Sequence, residues 1–173
     1  MYKIRVTHPK DAPKLPAIER SASLVFLAIP DLAWIAEDDV QSVNDHLKLI
    51  AEGYSIVAVD KQDNPVGFLN AEVQGAILHI WELSVAQPFQ CQGIGHRLIQ
   101  HTIKAAKQQG LSAITLTTFT DIAWNRPFYE KQGFHIVSET VLSTHLQNVF
   151  ACESVYGLPR ERRCAMQLRL DDK

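Results

Sequence analysis

The sequence predicts an α/β (α+β) fold, a mixed and mostly antiparallel central sheet flanked by helices. Three observations carry this. First, residues 54–59, 65–73 and 76–85 follow one another at hairpin spacing and are rich in β-branched and aromatic residues. Second, apolar residues then recur at helical spacing from Gly93 to Gln109, with Ile94, Leu98, Ile99, Ile103 and Ala106 on one face. Third, a strand is expected at 112–119 directly after that helix. A helix joining two strands of one sheet imposes a parallel step, so the sheet is mixed.

The remaining elements follow in chain order. A first strand is expected around residues 3–7, and Pro9, Pro13 and Pro16 mark a loop and a helix start. Residues 15–27 read as a helix that Pro30 breaks, leaving Leu32, Trp34 and Ile35 in an irregular or short helical segment. A second helix is expected from Asp39, acting as its cap, to Gly53, with Val40, Val43, Leu47 and Ile50 at spacings of three and four. The polar stretch 60–64 and the pair Gln74-Gly75 turn the chain between the three meander strands. Gly110 ends the long helix, and residues 124–132 form a short helix closed by Gly133. A strand at 134–142, a helix at 146–156 and a last strand at 164–170 complete the order.

Composition bounds the function. The chain has 173 residues, 46% hydrophobic and 21% charged, which suits one globular domain with no repeat or low-complexity tract. A net charge of -2 gives no reason to expect nucleic acid as a partner. The basic run Arg160, Arg162, Arg163 is short and reads as a solvated face. No apolar run reaches the ~20 residues of a membrane helix, and the stretch Met1-Tyr2-Lys3-Ile4-Arg5 lacks a signal-peptide core. Cys91, Cys152 and Cys164 are odd in number and show no CxxC pairing, so they read as free thiols, with no metal site, in a reducing, cytoplasmic setting.

The most informative segment runs from Leu83-Ser84-Val85 through Gln90-Cys91-Gln92-Gly93-Ile94-Gly95-His96. A strand ends, a loop carries two close glycines, and a long amphipathic helix begins. The first-turn amides of a helix have no internal partner, and its dipole adds about half a positive charge there. Glycine lets those amides approach an anion, which suits a diphosphate. The plainer alternative is a turn that uses glycine for sterics alone. The third glycine of a dinucleotide fingerprint is absent, since residue 98 is Leu, and so is the Gly-Lys-Ser/Thr of a P-loop.

Residues 90–95 resemble the Q/R-x-x-G-x-G/A signature of the GNAT N-acetyltransferases, behind a similar Leu-x-Val strand end. Downstream, Pro127-Phe128-Tyr129-Glu130-Lys131-Gln132-Gly133-Phe134 resembles that family's helix-to-strand signature, F-Y-E-K-x-G-F. The resemblance covers residues 54–142, with both ends matched by the order of elements. It implies a single domain over 1–173, with acceptor-side helices about 12–52, a CoA-binding core about 54–142, and a C-terminal helix and strand about 143–170. It implies transfer of an acetyl group from acetyl-CoA to a primary amine of a small molecule or peptide, through a tetrahedral intermediate and without a metal. A homodimer is left open.

The resemblance also assigns residues. The main chain of Leu83, Ser84 and Val85 would pair with the pantetheine arm, where an N–H could polarise the thioester carbonyl. The amides of Gln92, Gly93, Ile94, Gly95 and His96 would hold the diphosphate, with Gln90, Cys91 and Arg97 beside them. Tyr129 would protonate the leaving thiolate, or else only pack its ring on the sheet. His79 and Glu82 are both candidates for the base that deprotonates the amine, His79 by its ordinary pKa; each could instead be structural. Where many family members carry a CoA-binding asparagine this chain has Ile122, so that role passes to Asn125. The Pro-Phe-Tyr variant is locally similar to the arylalkylamine branch. For the acceptor, Phe26, Trp34, Glu37, Asp38, Asp39 and residues 143–163 are available; the plainer reading has Asp39 capping a helix and Trp34 filling the core. A non-catalytic acyl-CoA-binding regulatory module is the alternative function.

Overall fold

Seven strands share one sheet in the order β1-β2-β3-β4-β5-β7-β6. They are β1 (Lys3–Val6), β2 (Tyr54–Val59), β3 (Pro65–Gln74), β4 (Ile77–Val85), β5 (Ala113–Phe119), β6 (His135–Ile136) and β7 (Arg163–Arg169). The helices are α1 (Leu15–Ser23), α2 (Val43–Glu52), α3 (Ile94–Gln108), α4 (Arg126–Glu130) and α5 (Thr144–Val155). This is the expected mixed, mostly antiparallel sheet with flanking helices. The computed structural model describes residues 2–170, so the extreme ends of the expected 1–173 domain lie outside the described residues. Contacts gather into two compact units: the chain up to Val73 with Ile80–Ala105, and Gln74–His79 with the chain from Ala106 onward.

In the first unit β1 and β2 pair antiparallel from Lys3↔Val59 to Val6↔Ile56, and β2 continues onto β3. Leu15 and Ile18 of α1 pack on Val57, Val59 and Phe68, which turns the apolar stripe of α1 onto the sheet. The expected helix over 15–27 is α only to Ser23; residues Leu24–Ala28 and Pro30–Ala36 continue as 3-10 turns. Between them Ile29 is extended, the conformation that a following proline enforces.

The start of α2 corrects the sequence reading. Its cap is Ser42, not Asp39: Ser42 Oγ accepts from the Asp45 amide at 3.1 Å, and Asp45 returns a bond from the Ser42 amide at 3.0 Å. A reciprocal pair satisfies two orphan donors where a lone aspartate satisfies one, so it sets the boundary. Trp34 is likewise not a core residue; it is 37% exposed.

In the second unit β5 and β7 pair over their whole length, from Ala113↔Arg169 to Phe119↔Arg163. The first three residues of β4 pair parallel to β5, and the ladder ends at His79↔Thr115. The strand expected over 134–142 reduces to His135 and Ile136. The Val137 amide still reaches Ala165 O, but Ser138 Oγ then takes the Thr140 amide and bends Glu139–Val141 into a 3-10 turn. A local side-chain acceptor competes with the ladder and wins at this edge. Ser143 caps α5, whose Leu146 and Phe150 pack on Ala165.

The arginine run is not a solvated face. Arg160 lies over the Phe150 ring at 3.6 Å and pairs with Glu139, while Arg162 pairs with Asp121 at 3.0 Å. Arg163 is bound to Glu153 at 2.7 Å with both side chains largely buried. Each guanidinium stacks on an aromatic face or pairs with a carboxylate instead of projecting into water.

Candidate active site

The first unit carries the glycine loop. After β4, residues Gln87–Phe89 make a 3-10 turn, and Gln90 folds its side-chain amide back to donate to Val85 O at 2.9 Å. Gln92 braces the same turn by donating to Pro88 O at 3.1 Å. Cys91 and Gly93 both lie in the left-handed region, at φ 59° and 77°. For Gly93 that conformation is free, while for Cys91 it costs on the order of 1 kcal/mol. The first bond into the helical ladder runs from the Arg97 amide to Gly93 O at 3.1 Å. The amides of Ile94, Gly95 and His96 therefore stand ahead of the ladder, at the positive end of a 15-residue helix. Ile94 itself is buried, so only its backbone is on offer, and Cys91, Gln92 and Gly93 are exposed. No atom lies within 4 Å of where a Cβ on Gly93 would stand. A diphosphate fits this open, amide-lined turn.

Just before the loop, β3 comes close to the end of β4. A Cβ on Gly67 would meet Ser84 O at 3.0 Å and Val85 Cγ2 at 3.2 Å, so only glycine allows this approach. Leu83 and Val85 are half-buried and Ser84 is buried. Glu82 is half-buried and accepts the Ser84 hydroxyl at 2.7 Å.

A second carboxylate, Glu19 of α1, accompanies it. Glu19 Oε2 accepts the Gln41 amide at 3.1 Å. Burial first, and the Glu82 charge second, push its pKa up to about 8, against the opposing pull of the Gln41 amide and Arg20. The sequence reading missed Glu19. Its signal is its position four residues after buried Leu15 and next to buried Ile18, a carboxylate at the edge of an apolar stripe. Behind Gln41 lies a buried polar chain: Asn70 Nδ2 donates to Gln41 Oε1 at 3.2 Å and meets His46 Nδ1 at 3.1 Å, and Ser55 donates to Asn70 Oδ1 at 2.7 Å.

The second unit carries His79, Asn125 and Tyr129. His79 is 1% exposed, with Nδ1 3.0 Å from Thr115 Oγ1 and its ring against that of His145. Burial, then the neighbouring His145, push its pKa down to about 3. The ordinary imidazole pKa expected of it does not survive the fold; His79 is neutral at physiological pH.

Tyr129 sits half-buried in α4, its ring edge-on to Phe128 at 5.0 Å and Phe134 at 5.8 Å. Its backbone is fixed at both ends: its amide reaches Asn125 O, and its carbonyl takes the Phe134 amide at 3.1 Å. Asn125 Nδ2 donates to Thr118 Oγ1 at 2.9 Å, and its Oδ1 is buried with no hydrogen-bond partner among the described residues. An orphaned buried acceptor is uncommon and leaves this amide a bond to make. Ile122 is in the core. Thr117, Glu153 and Arg163 form a further partly buried cluster, with Thr117 donating to Glu153. No group of three or more His, Cys, Asp and Glu side chains that could hold a metal ion occurs among the described residues. Nor, among them, is any helix long and apolar enough to cross a membrane.

Comparison with known proteins gives the family. The model of the Acetyltransferase (GNAT) family matches residues 23–134, and the chain belongs to that family. Among solved structures it is similar to the PaiA N-acetyltransferase from Thermoplasma acidophilum in complex with coenzyme A, at 16% identity over 98% of this chain and 99% of that one, with a TM-score of 0.74. It is also similar to the ribosomal-protein-S18-alanine N-acetyltransferase from Escherichia coli, at 16% identity over 100% and 96% of the two chains, TM-score 0.72. The N-acetylglutamate synthase from Neisseria gonorrhoeae, complexed with coenzyme A and N-acetyl-glutamate, shares 20% identity over 99% of this chain and 36% of its own, TM-score 0.73. These likenesses show the fold. The family makes the chain an acyltransferase with a CoA-type cosubstrate.

Proposed function

We propose that the chain moves an acetyl group from acetyl-CoA to a primary amine of a small molecule or peptide by direct attack. The observation that carries this reading is the turn through left-handed Cys91 and Gly93 into the N-terminus of α3, in a chain of this family. The amides of Gln92, Gly93, Ile94, Gly95 and His96 hold the diphosphate, and Gln90, Cys91 and Arg97 flank it. The main chain of Leu83, Ser84 and Val85 takes the pantetheine arm and supplies the donor for the thioester oxygen. Asn125 adds its side-chain amide.

The amine nitrogen attacks the carbonyl carbon, the carbon–sulfur bond breaks, and the thiolate takes its proton from the Tyr129 phenol. The amine gives up its proton to Glu82, directly or through water. Between the two candidate bases, Glu82 is favoured by its partial exposure. His79, buried and neutral, is better suited to a positioning role. The three unpaired cysteines suit a reducing, cytoplasmic setting.

The test is release of free CoA from acetyl-CoA across a panel of arylalkylamines, polyamines, amino acids and peptide N-termini, with the product read by mass spectrometry. Amine-dependent release with an acetylated product is expected. Binding of acetyl-CoA without release for any amine would favour the regulatory module, and no binding at all would overturn the cosubstrate.

A further inference from the structure

Tyr2 stands just ahead of β1, whose first residue Lys3 is paired with Val59 of β2, so it enters the first unit from the edge of the sheet. Its hydroxyl donates to Gln92 Oε1 at 2.8 Å, ninety residues further along the chain. Its ring meets Phe89 edge-on at 6.1 Å. One side chain thus touches the glycine loop at two points, on either side of Gln90 and Cys91.

Gln92 is exposed, and an exposed glutamine ordinarily keeps its rotamer freedom in water. Here both ends of its amide are engaged, Oε1 by Tyr2 and Nε2 by Pro88 O at 3.1 Å. The two bonds agree on which end is which, since the phenol gives a proton to the oxygen and the carbonyl takes one from the nitrogen. Gln92 also lies between Cys91 and Gly93, both left-handed at φ 59° and 77°. A left-handed cysteine is unfavourable by on the order of 1 kcal/mol, so it persists where surrounding contacts hold it. The Tyr2–Gln92 bond is such a contact, and it comes from outside the loop.

We propose that Tyr2 is a positioning residue for the cosubstrate: through Gln92 it keeps the loop amides aimed at the diphosphate before acetyl-CoA arrives. The inference rests on the reading of this turn as the diphosphate site. A loop already fixed in its bound shape loses less freedom on binding. The Tyr2 hydroxyl therefore acts on affinity, mostly through the rate of release, and not on acetyl transfer itself.

The test compares Tyr2→Phe, Gln92→Leu and the double variant with the unaltered full chain, with CoA as the probe, by calorimetry and by stopped-flow release. Tyr2→Phe keeps the ring against Phe89 and removes only the hydroxyl. CoA affinity should fall roughly two- to tenfold, the scale of one hydrogen bond, with release faster to match. In the Gln92→Leu background the same change should cost nothing more, because the partner of the hydroxyl is gone. With an acetylated amine from the panel, KM for acetyl-CoA should rise by the same factor and kcat at saturation should hold. A role in folding alone would lower Tm and leave that KM where it was. Unchanged CoA affinity in Tyr2→Phe, or an equal loss in both backgrounds, would overturn the proposal and leave the diphosphate site standing. If the unaltered chain binds no CoA, the cosubstrate reading fails and the proposal falls with it.

Discussion

The rings of His79 and His145 meet edge to face with centroids 4.6 Å apart, and His79 is closed off from water in that contact. An imidazole held so stays neutral until well below its ordinary pKa. The unfolded chain binds a proton at His79 near pH 6.5, whereas the folded one does not until about 3. Stability due to this residue is therefore present above pH 6.5 and lost as pH falls toward 3. We expect the His79 ring resonances to stay constant between pH 8 and 5 in an NMR titration. A midpoint near 6.5 would contradict the burial argument.

Glu19 carries the opposite sign. Its folded pKa of about 8 lies above the ordinary 4.5, so the folded chain holds a proton there that the unfolded chain has released. Stability from this group is complete below pH 4.5 and declines as pH rises to 8. Glu19→Gln keeps an acceptor for the Gln41 amide and removes the charge. It should raise Tm at pH 8 while leaving it nearly unchanged at pH 5. An equal Tm for Glu19→Gln and the unaltered chain at pH 8 would show that Glu19 carries no such buried proton.

Tyr129→Phe tests the acid. The ring contacts with Phe128 and Phe134 survive the change, so folding and acetyl-CoA affinity should hold. Turnover should fall by roughly 10²–10⁴-fold where chemistry limits the rate. Wild-type turnover in a single-turnover experiment would remove the phenol from the mechanism.

Gly93→Glu tests the loop. The site is open to solvent, so the new side chain meets no neighbour, and the left-handed backbone costs on the order of 1–2 kcal/mol. The chain should fold, yet lose CoA binding, because a carboxylate now stands where a diphosphate belongs. Retained affinity for CoA would show that the diphosphate lies elsewhere.

Much of this was legible from the chain alone, and what was not has a common cause. Strand β2, the glycine loop and α3 declare themselves because their patterns are local: β-branched runs, paired glycines, apolar residues at three and four. The cap of α2 went to Ser42 because a reciprocal bond with Asp45 outweighs a lone Asp39, a comparison between two local motifs. Strand β6 stopped at Ile136 because a serine at the head of a turn can satisfy the backbone without a ladder. The charge states of His79 and Glu19 were out of reach, since each depends first on burial and then on a partner more than sixty residues away, His145 and Glu82. The arginine run misled because its partners lie outside the run itself: Phe150 and Glu153 on α5, and Asp121 after β5.

The narrow gauge between Gly67 and Ser84 gives the family's chemistry a remote adjustment point. A methyl group at residue 67 would press on the Ser84 carbonyl and the Val85 side chain. The strand proposed to hold the pantetheine arm would move by a few tenths of an ångström, with no residue of the arm's own lining replaced. Drift at such a position would be read in the affinity for the cosubstrate. Gly67 thus lets the grip on the arm be loosened or tightened from a residue that does not itself touch it.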